Sequence, residues 1–233
     1  MRMPHDKNGL CILKLNRPAV ANAYNEDMLM ALSKRLEDAR LDESVRAVIF
    51  TGQGKRHFCA GADLGEIGAK TMLDGLNLRS ADLFNQIALF PKPTIAAING
   101  DAVGGGLELA LACDLRTASA TARMWLPEIS LGIIPAAGGA RRLPGIIGKG
   151  RAKEMIFTGR KIDAQTALAW GLINDVAQDA LVRAMEIAEN LAQVDPEALI
   201  LAKTVIDAGA EDQFGDRLSR LAQARLYHKK NDV

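Results

Sequence analysis

Apolar positions along the chain fall into two patterns. The first is the short, nearly uninterrupted run. It occurs at residues 10–15 (LCILKL), which stop at the turn-prone Asn16-Arg17-Pro18, and at 45–51 (VRAVIFT), closed by Gly52-Gln53-Gly54. It recurs at 94–99 (TIAAIN), after a Pro91-Lys92-Pro93 break, and at 115–118. The second pattern has helical period. Residues 25–40 carry Met28, Leu29, Leu32 and Leu36 on one face, with Asn25 as N-cap and acids in the first turn. A helical stretch is also expected near 76–89. From about Gly148 onward the pattern is helical, over 151–157, 163–170, 180–193, 196–208 and the charged, amphipathic 213–228. Apolar strands without a polar face, alternating with helices, predict an α/β fold with mainly parallel pairing. The Asp195-Pro196 break is the candidate boundary between a core (1–195) and a helical C-terminal region (196–233).

Composition narrows the class. With 233 residues and 48% hydrophobic content, the chain can bury a core without disulfide or metal staples. Lys plus Arg number 29 against 28 for Asp plus Glu, so the formal charge is +1 and no basic nucleic-acid footprint is present. Aromatics are only 4%, with alanine and glycine abundant instead, which favours close backbone approach. Cys11, Cys59 and Cys113 are scattered and suit reduced thiols in a cytoplasmic protein. His5, His57 and His228 share no metal-ligand spacing. No secretory signal and no apolar run long enough to span a membrane is evident.

Three stretches carry candidate chemistry. In residues 99–114 (NGDAVGGGLELALACD) three glycines precede an apolar helical run. Such a turn lets a ligand oxygen approach main-chain N–H groups at a helix start, where negative charge is favoured. It serves equally as a tight strand-to-helix turn. Glu108 is the only charged residue between Asp101 and Asp114, in a helix apolar on every face. A carboxylate there is costly to bury unless paired or neutralised, and the alternative is an acid complementing the helix dipole. Glu128, in Leu126-Pro127-Glu128-Ile129, is either a second functional acid or a solvated loop residue. Two carboxylates in apolar surroundings have the means to hold shifted pKa values for acid/base work. The third stretch is 58–64 (FCAGADL), whose small residues again permit close approach; otherwise it is a turn ending at a helix N-cap, Asp63.

In combination, LNRPAVANAYN at 15–25, FCAGADL at 58–64, KPTIAAINGDAVGGGLELALACD at 92–114, PEISLGIIPAAGGARRLP at 127–144 and GRAKEMIFTGRKIDAQTALAWGLIN at 150–174 resemble the enoyl-CoA hydratase/isomerase (crotonase) superfamily. The resemblance covers nearly the whole chain, in order. It implies a spiral of repeated ββα units with C-terminal helices that pack between subunits of a homotrimer or a dimer of trimers. It further implies an acyl-CoA thioester substrate, held in an oxyanion hole made by the N–H groups of Ala62 and Gly105, with Ala60, Gly61, Asp63, Leu64 and Gly106 lining the substrate site. Glu108 and Glu128 take the places of the two hydratase carboxylates: Glu108 as base on the water, Glu128 as donor of a proton to C2. No metal or redox cofactor is required, coenzyme A being part of the substrate. Ala136 and Ala140 stand where relatives commonly have glycine and threonine. Relatives commonly also extend beyond the point where this sequence stops, so the C-terminal region is expected to be shortened. The expected activity is enoyl-CoA hydration. Isomerisation of the double bond, or acyl-CoA binding without turnover, are the alternatives, and an RNA-binding role fits poorly with the +1 balance.

Overall fold

The computed structural model describes residues 9–67, 71–209 and 213–231. The chain opens with β1 (Leu10–Leu15), a 3-10 turn (Pro18–Val20) and α1 (Glu26–Leu41). There follow β2 (Ala47–Gly52), β3 (His57–Cys59), α2 (Leu64–Ile67), α3 (Met72–Leu76) and α4 (Arg79–Ala88). Next come β4 (Thr94–Ile98), β5 (Asp101–Val103) and α5 (Gly105–Ala112), then β6 (Leu115–Ser119), β7 (Arg123–Trp125), a 3-10 turn (Glu128–Leu131), α6 (Gly139–Ile147) and α7 (Lys149–Thr158). The remainder is β8 (Ile162–Asp163), α8 (Ala164–Ala169), β9 (Asp175–Ala177), α9 (Ala180–Ala192), α10 (Pro196–Ala208) and α11 (Gln213–Asn231).

Three successive turns of this path (β2-β3, β4-β5 and β6-β7) each lay one strand into a large sheet, one into a small sheet, and then a helical segment. The large sheet has the order β1-β2-β4-β6-β9 and is parallel throughout. The small sheet, β3-β5-β7-β8, is parallel except for the last pair. This is the expected spiral of ββα units.

The uninterrupted apolar runs have a direct cause: β2 and β4 are buried at every residue because the large sheet is covered on both faces. Val48, Phe50, Ala96 and Ile98 belong to the main core with α1, α4 and α5. The alternate positions Ala47, Ile49, Ile95 and Ala97 pack with Ala180, Ala184 and Ala188 of α9. Alanines spaced by four along α9 allow that helix to lie close against the strands. The one hydroxyl in β2, on Thr51, donates to the Ala97 carbonyl at 3.0 Å. In α1 the Asn25 side chain accepts from the Met28 N–H at 3.1 Å, and Leu29, Leu32 and Leu36 are buried, as the period predicts.

One expectation needs correction and two helices were not anticipated. The helical stretch expected near 76–89 is α4, and the shorter α3 that precedes it was not expected. The part beyond Gly148 is not purely helical, since β8 and β9 interrupt it and β9 completes the large sheet beside β6. Helix α6, with Pro144 inside it, begins before that point. Among the described residues α10 buries none of its own; it contacts α11, and Lys203 reaches Asp114 at 2.8 Å. No helix among the described residues is long and apolar enough to cross a membrane.

Candidate active site

Strands β3, β5 and β7 lie side by side and parallel, and the segments that leave them meet at a cavity of about 770 Å³. The first segment contributes Ala60 to Asp63, the second Gly104 and Gly105, the third Pro127 and Glu128.

The first segment is pinned by an isolated parallel bridge between Tyr24 and Ala62. The Tyr24 N–H donates to the Gly61 carbonyl at 2.8 Å, and the Asp63 N–H donates to the Tyr24 carbonyl at 2.9 Å. In such a bridge the bonds use the residues on either side of Ala62, so the Ala62 N–H is directed away from Tyr24. Gly61 has φ +91°; a Cβ there would sit 2.9 Å from the Val103 carbonyl and 3.2 Å from the Gly105 nitrogen. A glycine is therefore needed to bring the first two segments into contact.

Gly105 is the first residue of α5, and an N–H at that position has no partner within its helix. Gly104 before it (φ +52°) donates its N–H to the Trp125 carbonyl at 3.0 Å, tying the second segment to the third. A Cβ on Gly104 would lie 2.7 Å from Glu128 Oε1, and one on Gly105 would overlap the Tyr24 hydroxyl at 2.1 Å.

Both acids are buried. Glu108 is 3% exposed and its Oε1 accepts the Gly139 N–H at 2.7 Å. Burial pushes the Glu108 carboxyl up to about 7; the Gly139 N–H works against this and the charge of Glu128 with it. Glu128 is 7% exposed, its carboxyl is likewise raised by burial, and its Oε2 is buried with no hydrogen-bond partner among the described residues. A solvated loop residue would show none of these features. The cost of desolvating two carboxylates is met by raising their proton affinity. The Tyr24 phenol beside them is also raised, first by burial and then by the Glu108 charge.

Ala60, Gly61, Ala62, Asp63, Gly105, Glu108 and Glu128, all singled out in the sequence, line this cavity. The Asp63 carboxylate is engaged elsewhere, accepting the Gly65 N–H at 3.1 Å and Arg17 at 3.0 Å, which hold it below the usual range. Gly106 packs away from the cavity: a Cβ there would meet the Cys59 carbonyl at 2.2 Å. Leu64 is the first residue of α2, and its side chain lies outside the described residues. Sequence reading passed over Tyr24, Gly139 and the apolar mouth formed by Leu131, Ile133 and Ile134, which are 53%, 41% and 61% exposed. The run Ile133-Ile134 next to Pro135 was a usable sign of that mouth.

The sequence matches the enoyl-CoA hydratase/isomerase family over residues 5–232. The chain belongs to that family. It is 39% identical over 224 residues to the short-chain-enoyl-CoA hydratase of Clostridium acetobutylicum, covering 94% of this chain and 86% of the relative. It is 43% identical over 202 residues to the 2,3-dehydroadipyl-CoA hydratase of Escherichia coli K12, covering 86% of this chain and 79% of the relative. The crystal structure of an enoyl-CoA hydratase from Bacillus anthracis superposes with a TM-score of 0.90 at 39% identity, covering 94% of this chain and 88% of that one. This member of the enoyl-CoA hydratase/isomerase family is accordingly an enzyme of that type, with the crotonase fold.

Proposed function

We propose that the protein is an enoyl-CoA hydratase in which Glu108 and Glu128 act on one water molecule at the double bond of a 2-enoyl-CoA thioester. The observation that carries this reading is the pair of buried carboxyls on one cavity, one of them with an oxygen lacking any partner among the described residues. The thioester oxygen accepts from the Ala62 and Gly105 N–H groups. Ionised Glu108 takes a proton from water as its oxygen bonds to C3, and the double-bond electrons move through C2 toward the thioester oxygen. The resulting enolate takes a proton at C2 from neutral Glu128. The water supplies both the hydroxyl at C3 and the proton left on Glu108, and that proton restores Glu128 between turnovers. Each oxyanion donor contributes about 3–4 kcal/mol to the transition state, and acid/base assistance about 10²- to 10⁴-fold. The scheme uses no metal or redox cofactor, and coenzyme A enters as part of the substrate.

We place the acyl chain along the apolar mouth at Leu131, Ile133 and Ile134, whose exposure suits a hydrocarbon ligand. Residues 1–195 form the proposed catalytic core. Residues 196–233 are proposed as the oligomerisation region of a homotrimer or dimer of trimers, a reading supported by the exposed Ile206, Leu221 and Tyr227 on α10 and α11. Three buried free thiols support a cytoplasmic location.

The test is conversion of 2-butenoyl-CoA to 3-hydroxybutanoyl-CoA, followed by loss of the conjugated-thioester absorbance. Unimpaired hydration by the Glu108→Gln variant would overturn the two-carboxylate scheme. Movement of a 3-enoyl double bond without hydration would reassign the enzyme to isomerisation.

A further inference from the structure

We propose that Tyr24 is a positioning residue that sets the spacing between the Ala62 and Gly105 N–H groups, clamping the first segment through its main chain and bracing the second through its side chain. The inference rests on the thioester-binding reading of the site given above.

Its basis is geometric. The Tyr24 main chain makes both bonds of the bridge that holds Ala62, at 2.8 and 2.9 Å. The phenol of the same residue lies against Gly105: a Cβ built on that glycine would come within 2.1 Å of the hydroxyl oxygen, 2.8 Å of Cζ and 2.9 Å of Cε1. One residue thus touches the backbone at both proposed donor positions. Tyr24 is itself held, since its ring meets Phe84 edge-on at 5.9 Å and 89°. The chain leading to it is fastened by Asn22, whose amide donates to the carbonyls of Gln53 and His57 at 3.0 and 2.8 Å. Arg17 adds bonds to the Ala23 carbonyl and to Asp63. Tyr24 is 5% exposed, so its ring has little room to move.

The consequence follows from how an oxyanion hole works. Two donors stabilise developing charge only when both reach the same oxygen, and loss of one such donor costs about 10²- to 10³-fold in kcat. Shrinking the side chain at 24 leaves the Ala62 bridge intact but removes the brace on Gly105. Positioning losses of this kind lower kcat more than they raise KM.

The experiment uses butanoyl-CoA carrying ¹³C at the thioester carbonyl, a saturated ligand with no double bond to hydrate. Its carbonyl stretch is read by isotope-edited infrared difference spectroscopy when bound to the wild-type, Tyr24→Phe and Tyr24→Leu proteins, alongside hydration kinetics. The wild-type protein should lower the stretch, Tyr24→Leu should lose most of that shift, and Tyr24→Phe, which keeps the ring edge, should fall between. Hydration kcat should drop about 10²-fold in the Leu variant with KM within about threefold. A wild-type carbonyl frequency in the Leu variant, or in the Phe variant should the Leu variant not fold, overturns the role of Tyr24 alone. No shift in the wild-type protein overturns the oxyanion hole and the role of Tyr24 together.

Discussion

Replacing Glu108 by glutamine should make the protein more stable while abolishing hydration, with the stability gain confined to one side of a pH window. Glu108 is 3% exposed and its carboxyl is raised from 4.5 to about 7 in the folded state, chiefly by burial. A carboxyl raised on folding holds its proton more tightly in the native state than in the unfolded one. Native stability therefore falls as pH climbs from about 4.5 to about 7 and stays at the lower value above that. At about 1.4 kcal/mol per pH unit, this interval corresponds to roughly 3 kcal/mol that the ionised carboxylate costs at pH 8. Glutamine is neutral, keeps an oxygen for the Gly139 N–H and is nearly isosteric. The variant should thus gain up to about 3 kcal/mol over wild type at pH 8, and essentially nothing at pH 4.5. For a chain of this length each kcal/mol moves Tm by about 2–4 °C, so thermal unfolding at both pH values resolves the effect. An equal Tm difference at pH 4.5 and pH 8, or destabilisation at pH 8, would refute the argument that this acid is held charged at the expense of the fold.

Other outcomes are equally specific. In the free enzyme Glu128, whenever it is ionised, raises Glu108, so Glu128→Gln should lower the Glu108 midpoint followed by ¹³C carboxyl NMR; an unmoved midpoint excludes coupling between the two acids. Gly61→Ala forces a side chain into φ +91° with a Cβ 2.9 Å from the Val103 carbonyl, and should cost roughly 2–4 kcal/mol in chemical denaturation together with most hydration activity. Lys203→Met breaks the half-buried pair to Asp114 and should cost about 1–2 kcal/mol, with hydrogen exchange rising along α10 and hardly changing in β4.

The parts of this protein that are legible in its sequence are those whose environment is uniform along the segment. Strands β2 and β4 read plainly because both of their faces are buried, and α1 because a single face is. Glu108 stood out for a related reason, as one charge in a helix whose eight residues are all buried. The small sheet left no such trace. Strands β3, β5 and β7 have three residues each, too few for any period to show, and their polar members His57, Asp101 and Arg123 look like loop. Strand β9 lies between helices and pairs with β6, to which nothing local connects it. Helix α6 begins in glycines and contains Pro144, both of which argue locally against a helix. Tyr24 gave only a compositional hint, being one of two tyrosines, because its importance lies in which backbone it touches.

The staggered delivery of the site has a consequence for how its chemistry can change. Ala62, Gly105 and Glu128 each follow the end of a small-sheet strand by two or three residues, β3 closing at Cys59, β5 at Val103 and β7 at Trp125. The three strands act as parallel rails, the second of which carries both Gly105 and, one helical turn on, Glu108. A change at Glu128 alters the acid/base equipment without changing Ala62 or Gly105, whereas a side chain added at Gly61 or Gly104 would push one rail against its neighbour. A slip of one residue between two rails, by contrast, would throw grip and acid out of alignment at a stroke, because adjacent residues in a strand point to opposite faces.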